Sequence, residues 1–254
     1  MKYGLIGEKL GHSYSKEIHE RLADYTYELC PLTREEFAPF MEKKDFCAIN
    51  VTIPYKCDVI PYLAEMNEAA RAIGAVNTIV NREGRLYGYN TDMPGFVYMA
   101  KKNNIDMKGK KVVVLGNGGA SQAVKAAIRS MDAAELIVVG HRVMKEGVIT
   151  YEECFAKHSD ADIVVNTSPV GMYPNVDASP VDLTHFPKCQ AVLDIIANPL
   201  TTKLTAQARE LGMTGVTGLE MLVAQAKYAV EIFLDTTIDE EKIDSICQEL
   251  REKF

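Results

Sequence analysis

The chain has 254 residues, of which 47% are hydrophobic and 25% charged, a composition typical of a soluble globular protein with room for one large or two modest domains. Its 28 basic and 35 acidic side chains give a net charge of 28 − 35 = −7, which disfavours nucleic acids and anionic membrane surfaces as partners. The 6 cysteines form no CxxC pair and no Cys/His cluster, so the sequence predicts neither a metal site nor a disulfide framework.

Hydropathy along the chain indicates no targeting segment. The opening residues, "MKYGLIG", lack the charged and long apolar regions of a signal peptide, and no later apolar run approaches membrane-spanning length. We therefore expect a cytoplasmic protein that is neither exported nor embedded in a membrane.

In the first part of the chain, short apolar or β-branched runs alternate with amphipathic stretches, as in βαβ units. The predicted strands are 2–7, 25–31 and 46–53, and the predicted helices are 15–23 and 33–43. The stretch "AVNTIVNREGRLYGYNTD" predicts a hairpin with Glu83 and Gly84 at its turn.

The polar run "KKNNIDMKGK", which starts at Lys101, predicts a domain boundary because a strongly apolar strand, "KVVVLG", follows it. Further strands are predicted at 135–139, 162–165 and 191–196, with helices between them and two final helices at 219–233 and 239–252. This alternation predicts a doubly wound parallel sheet.

The stretch "VVVLGNGGASQAV" places a glycine-rich loop between that first apolar strand and a helix. Gly116 and Gly118 follow the strand, and Gly119 opens the helix, which lets the backbone approach a pyrophosphate at the helix N-terminus. Ser121 stands at the sixth fingerprint position, where Gly or Ala is usual. The alternative is a tight strand-to-helix turn that needs the same residues for its own geometry.

The next predicted strand ends in "VVGHRV", where an NAD enzyme usually has an acidic residue for the ribose hydroxyls. His141 and Arg142 stand there instead, and they suit the 2′-phosphate of NADP. The alternative is an exposed arginine that simply follows a strand.

Two serines in "GHSYSKEIH" are two residues apart, so an extended backbone would place both hydroxyls on one side. Ser13 and Ser15 could then bind a carboxylate or a polyol. Helix capping is the alternative interpretation of both.

Three further motifs carry polar side chains after apolar runs. "NVTIPYK" contains Asn50, Thr52 and Lys56, "GAVNT" contains Asn77, and "GYNTD" contains Asp92. Each has a surface or turn explanation on its own, and Asp92 could simply cap the following helix.

Together these motifs resemble one enzyme family. "GHSYSKEIH", "NVTIPYK", "GAVNT", "GYNTD", "GNGGAS", "NTSPVGM" and "GLEMLVAQA" occur in the order and approximate spacing of the shikimate dehydrogenases, over essentially the whole chain. The resemblance implies that Lys56 is catalytic, with Asp92 as its partner. The substrate-binding positions that it implies are Ser13, Ser15, Thr52, Asn77 and Gln225. The cofactor-binding positions that it implies are Gly116, Asn117, Gly118, Gly119, Ala120, Ser121, His141, Arg142, Ile195 and Gly218.

The resemblance also implies the fold and the reaction. The fold is α/β, with a Rossmann-type doubly wound parallel-sheet domain at 104–218 and an α/β substrate domain with a mainly parallel sheet at 1–103, completed by returning helices at 219–254. The active site would lie in the cleft between them. The implied reaction is the reversible NADPH-dependent reduction of 3-dehydroshikimate to shikimate in aromatic amino-acid biosynthesis, by a monomer or homodimer.

The sequence departs from the family pattern at a few positions. Ala197 in "DIIANP" stands where the family usually has tyrosine, and Glu220 in "GLEML" stands where it usually has glycine. Two alternatives therefore stay open: a quinate/shikimate dehydrogenase-like relative with shifted substrate or NAD use, and a non-catalytic Rossmann-type binding protein. The retained Lys56 and Asp92 argue against the second.

Overall fold

The structure, a computed structural model, describes residues 1–11, 13–140 and 146–252. Its internal contacts divide the chain into two compact units. Unit 1 comprises Met1–Pro94 and Val223–Ile246, and unit 2 comprises Gly95–Leu222 and Cys247–Phe254. Within the described ranges, no helix is long and apolar enough to span a bilayer.

The strands of unit 1 form a mixed sheet. They are β1 (Tyr3–Gly7), β2 (Tyr27–Pro31), β3 (Ala48–Val51), β4 (Glu65–Met66), β5 (Thr78–Arg82) and β6 (Arg85–Tyr89), in the spatial order β2-β1-β3-β5-β6-β4. The pairs β1·β2, β1·β3 and β4·β6 are parallel, whereas β3·β5 and β5·β6 are antiparallel. The sheet is thus mainly parallel, as expected.

Helices connect these strands and supply the returning part of the chain. They are α1 (Ser15–Leu22), α2 (Arg34–Lys43) and α3 (Glu68–Ile73), and the later helices α8 (Leu219–Leu234) and α9 (Glu241–Arg251) also contribute residues to unit 1. The helix α4 (Asp92–Lys102) begins in unit 1 and continues into unit 2. One apolar cluster includes Ile49 and Ile79, and a second joins Leu5 and Tyr27 to Phe233 of α8. The helix α8 therefore belongs to the core of unit 1 through its second half.

The predicted hairpin turn is confirmed. Glu83 and Gly84 lie between β5 and β6 with φ angles of 53° and 81°. Two successive positive φ angles define a type I′ turn, whose twist matches that of the flanking strands. The Asn81 side chain accepts the Gly84 N–H at 2.8 Å and supports the turn.

Unit 2 contains a wholly parallel sheet. Its strands are β7 (Lys111–Leu115), β8 (Glu135–Val139), β9 (Val148–Ile149), β10 (Ile163–Asn166), β11 (Ala191–Asp194) and β12 (Thr214–Val216), in the order β12-β11-β10-β7-β8-β9. The connecting helices include α5 (Gly119–Ser130), α6 (Tyr151–Lys157) and α7 (Lys203–Glu210). The strand order reverses between β7 and β10, which defines the topological switch point where doubly wound sheets bind ligands. The predicted Rossmann-type fold class is confirmed.

Several boundaries differ from the sequence prediction. The strand predicted at 46–53 ends at Val51 because a turn begins at Thr52, and Ile53 is 69% exposed. The short edge strands β4, β9 and β12 and the helix α3 were not predicted, since strands of two or three residues and a helix of six carry too little periodicity. The assignment of substrate and NADP binding to the predicted domain ranges stays a prediction.

Candidate active site

The backbone around Lys56 is held on both sides. After β3, the Tyr55 N–H donates to the Thr52 carbonyl at 3.0 Å and closes a turn. The Lys56 carbonyl in turn accepts the Val76 N–H at 2.8 Å. Because these bonds fix the backbone at and just before Lys56, its side chain starts from a rigid position in the turn that follows β3.

Lys56 forms an ion pair with Asp92. Its Nζ donates to Oδ2 of Asp92 at 2.5 Å, and the two side chains are 15% and 11% exposed. Asp92 is the first residue of α4, and the Asn90 side chain accepts the N–H groups of Asp92 at 3.1 Å and Met93 at 3.3 Å. Asn90 therefore caps this helix, so the alternative that Asp92 serves only as its cap is wrong. The structure thus brings Lys56 and Asp92 together, as the family resemblance implies.

Asn77 holds the other oxygen of the carboxylate. Its Nδ2 donates to Oδ1 of Asp92 at 2.9 Å and to Oγ1 of Thr91 at 3.0 Å, while its Oδ1 accepts the Thr91 N–H at 2.8 Å. Asn77 is only 3% exposed. The carboxylate of Asp92 is thus fixed between an amide and an ammonium group.

Ser13 and Ser15 bond to one another at the start of α1. The Ser13 hydroxyl donates to the Ser15 hydroxyl at 3.1 Å and accepts the Ser15 N–H at 3.2 Å, and both residues are partly buried. The N-cap residue of α1 is Tyr14, which has no capping side-chain bond. The hydroxyls therefore lie on one side, as predicted, while Ser13 also satisfies one N–H of the helix start, as the capping alternative requires.

The remaining substrate-binding predictions fall on two elements of unit 1. Thr52 is partly buried at the end of β3, and its N–H donates to the Ile6 carbonyl at 2.9 Å. Gln225 is partly buried on α8, within the segment that returns to unit 1. The same unit therefore contains every predicted substrate-binding residue, although a direct contact of Gln225 with Lys56 stays a prediction.

The glycine-rich loop of unit 2 follows β7 at the switch point. Gly116 has a φ of 102°, and a Cβ there would lie 2.9 Å from Oγ1 of Thr167, so its own conformation requires glycine. Gly118 and Gly119 differ, because their φ angles are not positive and a Cβ on either would meet no atom within 4 Å. Neither packing nor backbone strain demands glycine at these two exposed positions. Close approach of a ligand to the backbone would account for both glycines, and the predicted pyrophosphate is such a ligand.

The first turn of α5 provides backbone donors beside that open space. It begins at Gly119, contains Ala120 and Ser121, and carries no acidic residue that would repel an anion. The Ser121 side chain is fully buried, and its Oγ has no hydrogen-bond partner among the described residues. Ser121 can therefore meet a phosphate through its backbone N–H, rather than through its hydroxyl in this rotamer. Asn117 accepts a bond from Lys125 Nζ at 3.2 Å, which orients its side chain along the loop.

Ile195 and Gly218, predicted to lie along the cofactor, are brought together. A Cβ on Gly218 would collide with the Ile195 carbonyl oxygen, and the Gly218 N–H donates to the Ile196 carbonyl at 2.9 Å. Only glycine permits this approach between the two loops. His141 and Arg142, the predicted 2′-phosphate ligands, lie outside the described residues.

A buried carboxylate that the sequence reasoning did not single out ties two loops of unit 2 together. Asp194, at the end of β11, accepts bonds from Asn166 Nδ2 at 3.0 Å, from the Ile196 N–H at 3.1 Å and from Thr202 Oγ1 at 2.8 Å. Burial raises the pKa of Asp194 from 3.8 to about 6, although these three donors oppose the shift. A charged residue at the end of an otherwise apolar strand was the available sequence signal.

The two departures from the family pattern have different surroundings. Ala197 is partly buried and lies in the loop that follows β11. Glu220 is buried in the first turn of α8, and its carboxylate accepts a hydrogen bond from Arg251 at the end of α9. An ion pair thus compensates the charge that Glu220 adds near Gly218.

No group of three or more His, Cys, Asp or Glu side chains is placed to hold a metal ion in the described ranges. Each unit contains its own set of candidate functional groups. Unit 1 holds an ammonium, a carboxylate and several hydroxyl and amide groups, which suit a polyhydroxylated acid. Unit 2 holds a nucleotide-type loop at a switch point.

Comparison with known proteins relates both units to one family. A sequence profile of the shikimate dehydrogenase substrate binding domain matches residues 5–79. The chain is 36% identical to shikimate dehydrogenase (NADP(+)) of Clostridium perfringens strain SM101 over 269 aligned positions, which cover 99% of each chain. It is 38% identical to the Clostridium beijerinckii protein of the same name over 93% of each chain.

Comparison with solved structures relates the chain to the same family. A chorismate mutase/shikimate 5-dehydrogenase fusion protein from Clostridium acetobutylicum matches with a TM-score of 0.92 and 39% identity, covering 99% of this chain and 97% of the other. Shikimate 5-dehydrogenase from Thermus thermophilus, solved in complex with NADP(H) and shikimate, matches with a TM-score of 0.88 and 28% identity, covering 98% and 99%. On this similarity over almost the full length of its relatives, the chain belongs to the shikimate dehydrogenase (NADP(+)) family.

Proposed function

We propose that this chain is an oxidoreductase that catalyses the reversible, NADPH-dependent reduction of 3-dehydroshikimate to shikimate in aromatic amino-acid biosynthesis. The observation that carries the proposal is the 2.5 Å ion pair between Lys56 Nζ and Asp92 Oδ2 in unit 1. Family membership supports the substrate, because relatives over 30% identical across the full length bear this activity in their names. A cytoplasmic monomer or homodimer is part of the same proposal.

Lys56 carries the acid–base role. When bound, NADPH supplies a hydride to the ketone carbon of the substrate. Negative charge then develops on the ketone oxygen, and the Lys56 ammonium stabilises that charge and donates its proton to the oxygen. Asp92 holds the ammonium in place through its ion pair and is held in turn by Asn77.

The other polar groups of unit 1 bind the substrate away from the reacting carbon. Ser13 and Ser15 present adjacent hydroxyls, which can donate to the ring carboxylate. Thr52 and Gln225 would supply a hydroxyl and an amide group for the ring hydroxyls. Asn77 would contact the ring only by exchanging one of its bonds to Thr91 or Asp92 for a ring hydroxyl. A ring with this many polar atoms needs a fixed partner for each, because an unpaired polar group costs binding energy.

In unit 2, the open backbone at Gly118 and Gly119 and the first turn of α5 would hold the pyrophosphate. His141 and Arg142 would hold the 2′-phosphate, and Arg142 offers a charge-assisted, bidentate contact. Ile195 and Gly218 would lie along the remainder of the cofactor.

The test is conversion of 3-dehydroshikimate by the purified protein with NADPH, followed by mass spectrometry of the product. We expect one shikimate for each NADPH consumed. A parallel reaction with 3-dehydroquinate tests the alternative quinate specificity. Consumption of NADPH without shikimate, or a preference for the quinate pair, would contradict the proposal.

A further inference from the structure

A chain of buried hydrogen bonds connects Tyr27 on β2 to Asp92 across the sheet of unit 1. The Tyr27 hydroxyl donates to Asn50 Oδ1 at 2.7 Å, and Asn50 Nδ2 donates to Thr78 Oγ1 at 3.1 Å. The Thr78 hydroxyl donates to Asn77 Oδ1 at 3.0 Å, and Asn77 Nδ2 donates to Asp92 Oδ1 at 2.9 Å. We refer to Tyr27, Asn50 and Thr78 as the relay residues.

The direction of these bonds is fixed at the Asp92 end. An ionised carboxylate only accepts, so Asn77 must present its NH₂ group to Asp92. Its carbonyl oxygen then accepts from the Thr91 N–H at 2.8 Å and faces the hydroxyls of Thr78 at 3.0 Å and Thr91 at 3.3 Å. The Thr78 hydroxyl also lies 3.3 Å from the Thr91 hydroxyl, and its shorter contact with Asn77 favours donation to that oxygen.

The direction is also fixed at the other end. Asn50 Nδ2 donates at 3.1 Å to the backbone carbonyl of Asn77, an acceptor only, so the NH₂ group of Asn50 must point to β5. Its oxygen then points to Tyr27, whose hydroxyl donates to it. Each relay residue thus orients the next group, and the final group oriented is the partner of Lys56.

Burial makes an unpaired group in this chain costly. Tyr27 and Thr78 are 0% exposed and Asn50 is 5% exposed, so water cannot replace a lost partner without rearrangement. The imidazole of His19 stacks on the Tyr27 ring with centroids 4.0 Å apart, which keeps the hydroxyl aimed at Asn50. If the Tyr27 hydroxyl is removed, Asn50 either keeps its orientation with a buried oxygen that has lost its donor, or reverses its amide and sets that oxygen against the Asn77 backbone carbonyl. Both arrangements disturb the bonds that Asn50 makes to Thr78 and Asn77.

We propose that Tyr27, Asn50 and Thr78 are positioning residues that fix the Asn77 amide, and through it the Lys56–Asp92 pair. The kinetic part of this inference rests on the proposed function. None of the relay residues needs to touch the substrate for this role. They act through Asn77, which places the carboxylate that orients the catalytic ammonium.

Two matched pairs of variants test the proposal. Tyr27→Phe removes the relay hydroxyl, and Tyr55→Phe is its control, because Tyr55 is also 0% exposed and its hydroxyl donates to the Leu32 backbone carbonyl at the same 2.7 Å. Thr78→Val removes the central hydroxyl, whereas Thr78→Ser retains it. The measurements are kcat with NADPH and 3-dehydroshikimate, normalised to folded protein, and the backbone amide exchange of Thr91 without ligands.

We expect Tyr27→Phe and Thr78→Val to lower kcat roughly 3- to 10-fold against their controls, the equivalent of about one hydrogen bond. The KM for NADPH should not change. Exchange at Thr91 should be faster than in the controls, because its N–H donates to the oriented Asn77 oxygen. Equal kcat within either pair, or control-like exchange at Thr91, would overturn the proposal.

Failure of the proposed function is distinguishable from failure of this inference. If the unmodified chain does not reduce 3-dehydroshikimate, the function is wrong, and exchange at Thr91 still decides whether Tyr27 orients Asn77. If the unmodified chain is active and each variant matches its control, only the positioning role is wrong.

Discussion

Replacing Lys56 with alanine removes the group assigned the acid–base role. A positioned acid or base contributes about 10²- to 10⁴-fold to kcat, or about 2.7–5.4 kcal/mol of transition-state stabilisation. The structure favours the middle of this range. The ammonium is fixed by one short ion pair. The neighbours of Asp92 are Asn77 and Thr91, whose amide and hydroxyl groups are too weakly acidic to donate a proton in place of the ammonium. We therefore expect a loss in kcat of about a thousandfold.

The same change has a limited structural cost. Asp92 loses its ammonium partner but keeps the Asn77 bond, and its side chain is 11% exposed. A destabilisation of about 3 kcal/mol is expected, because a largely buried carboxylate loses its ion-pair partner. Lys43→Ala is the control, since Lys43 is 73% exposed and its ion pair with Asp45 should contribute little.

Steady-state kinetics with NADPH and 3-dehydroshikimate give kcat, a fluorescence titration gives the Kd for NADPH, and circular dichroism gives the folded fraction. We expect a large loss of kcat in Lys56→Ala, while the Kd for NADPH stays nearly unchanged. A Lys56→Ala protein that is folded and retains kcat within about threefold of the unmodified chain would refute the assigned role.

Three further outcomes are expected. Ser13→Ala and Ser15→Ala should raise the KM for shikimate about tenfold while kcat falls less, because they remove binding remote from the reacting carbon. Loss of folding with an unaltered KM would favour the capping alternative. Burial raises the pKa of Asp194 from 3.8 to about 6. The protonated side chain therefore makes its full contribution to the free energy of unfolding below pH 3.8, and this contribution is lost as the pH rises through 6. Urea unfolding should show the unmodified chain losing about 2 kcal/mol relative to Asp194→Asn between pH 4 and pH 7, and a constant difference would contradict the shift. Arg142→Ala should raise the KM for NADP and leave NAD kinetics nearly unchanged, whereas equal losses with both cofactors would mean a structural role.

The cofactor preference should also depend on pH. The sequence places His141 beside Arg142, and an imidazole loses its positive charge as the pH rises from about 6 to about 8. The ratio of kcat/KM for NADP to that for NAD should therefore shrink over this range. A constant ratio would exclude His141 from the 2′-phosphate site.

Local sequence signals predicted most of the fold. The hairpin followed from the glycine at its turn, and the parallel sheet of unit 2 followed from alternating apolar strands and amphipathic helices. The end of β3 was placed two residues late, because Ile53 continues the apolar run in sequence although it is exposed in the turn. Apolarity alone does not distinguish a buried strand residue from an exposed one.

The site could be predicted only where a motif kept its residues close in sequence. The Lys56–Asp92 pair was reached through the family resemblance and not from spacing, since 36 residues separate the two. The bonds from Tyr27 to Asn50 and on to Thr78 span 23 and 28 residues and depend on strand register across the sheet. Register is a tertiary property, so no local pattern indicated this chain of buried polar groups.

The measurement that tests the account most directly is the initial rate of NAD(P)H formation by the unmodified protein with shikimate or quinate and with NADP or NAD. We expect kcat/KM to be highest for shikimate with NADP, and NAD to lower kcat/KM through a higher KM for the cofactor. A higher kcat/KM with NAD, a preference for quinate, or no turnover of shikimate with NADP by folded protein would contradict it.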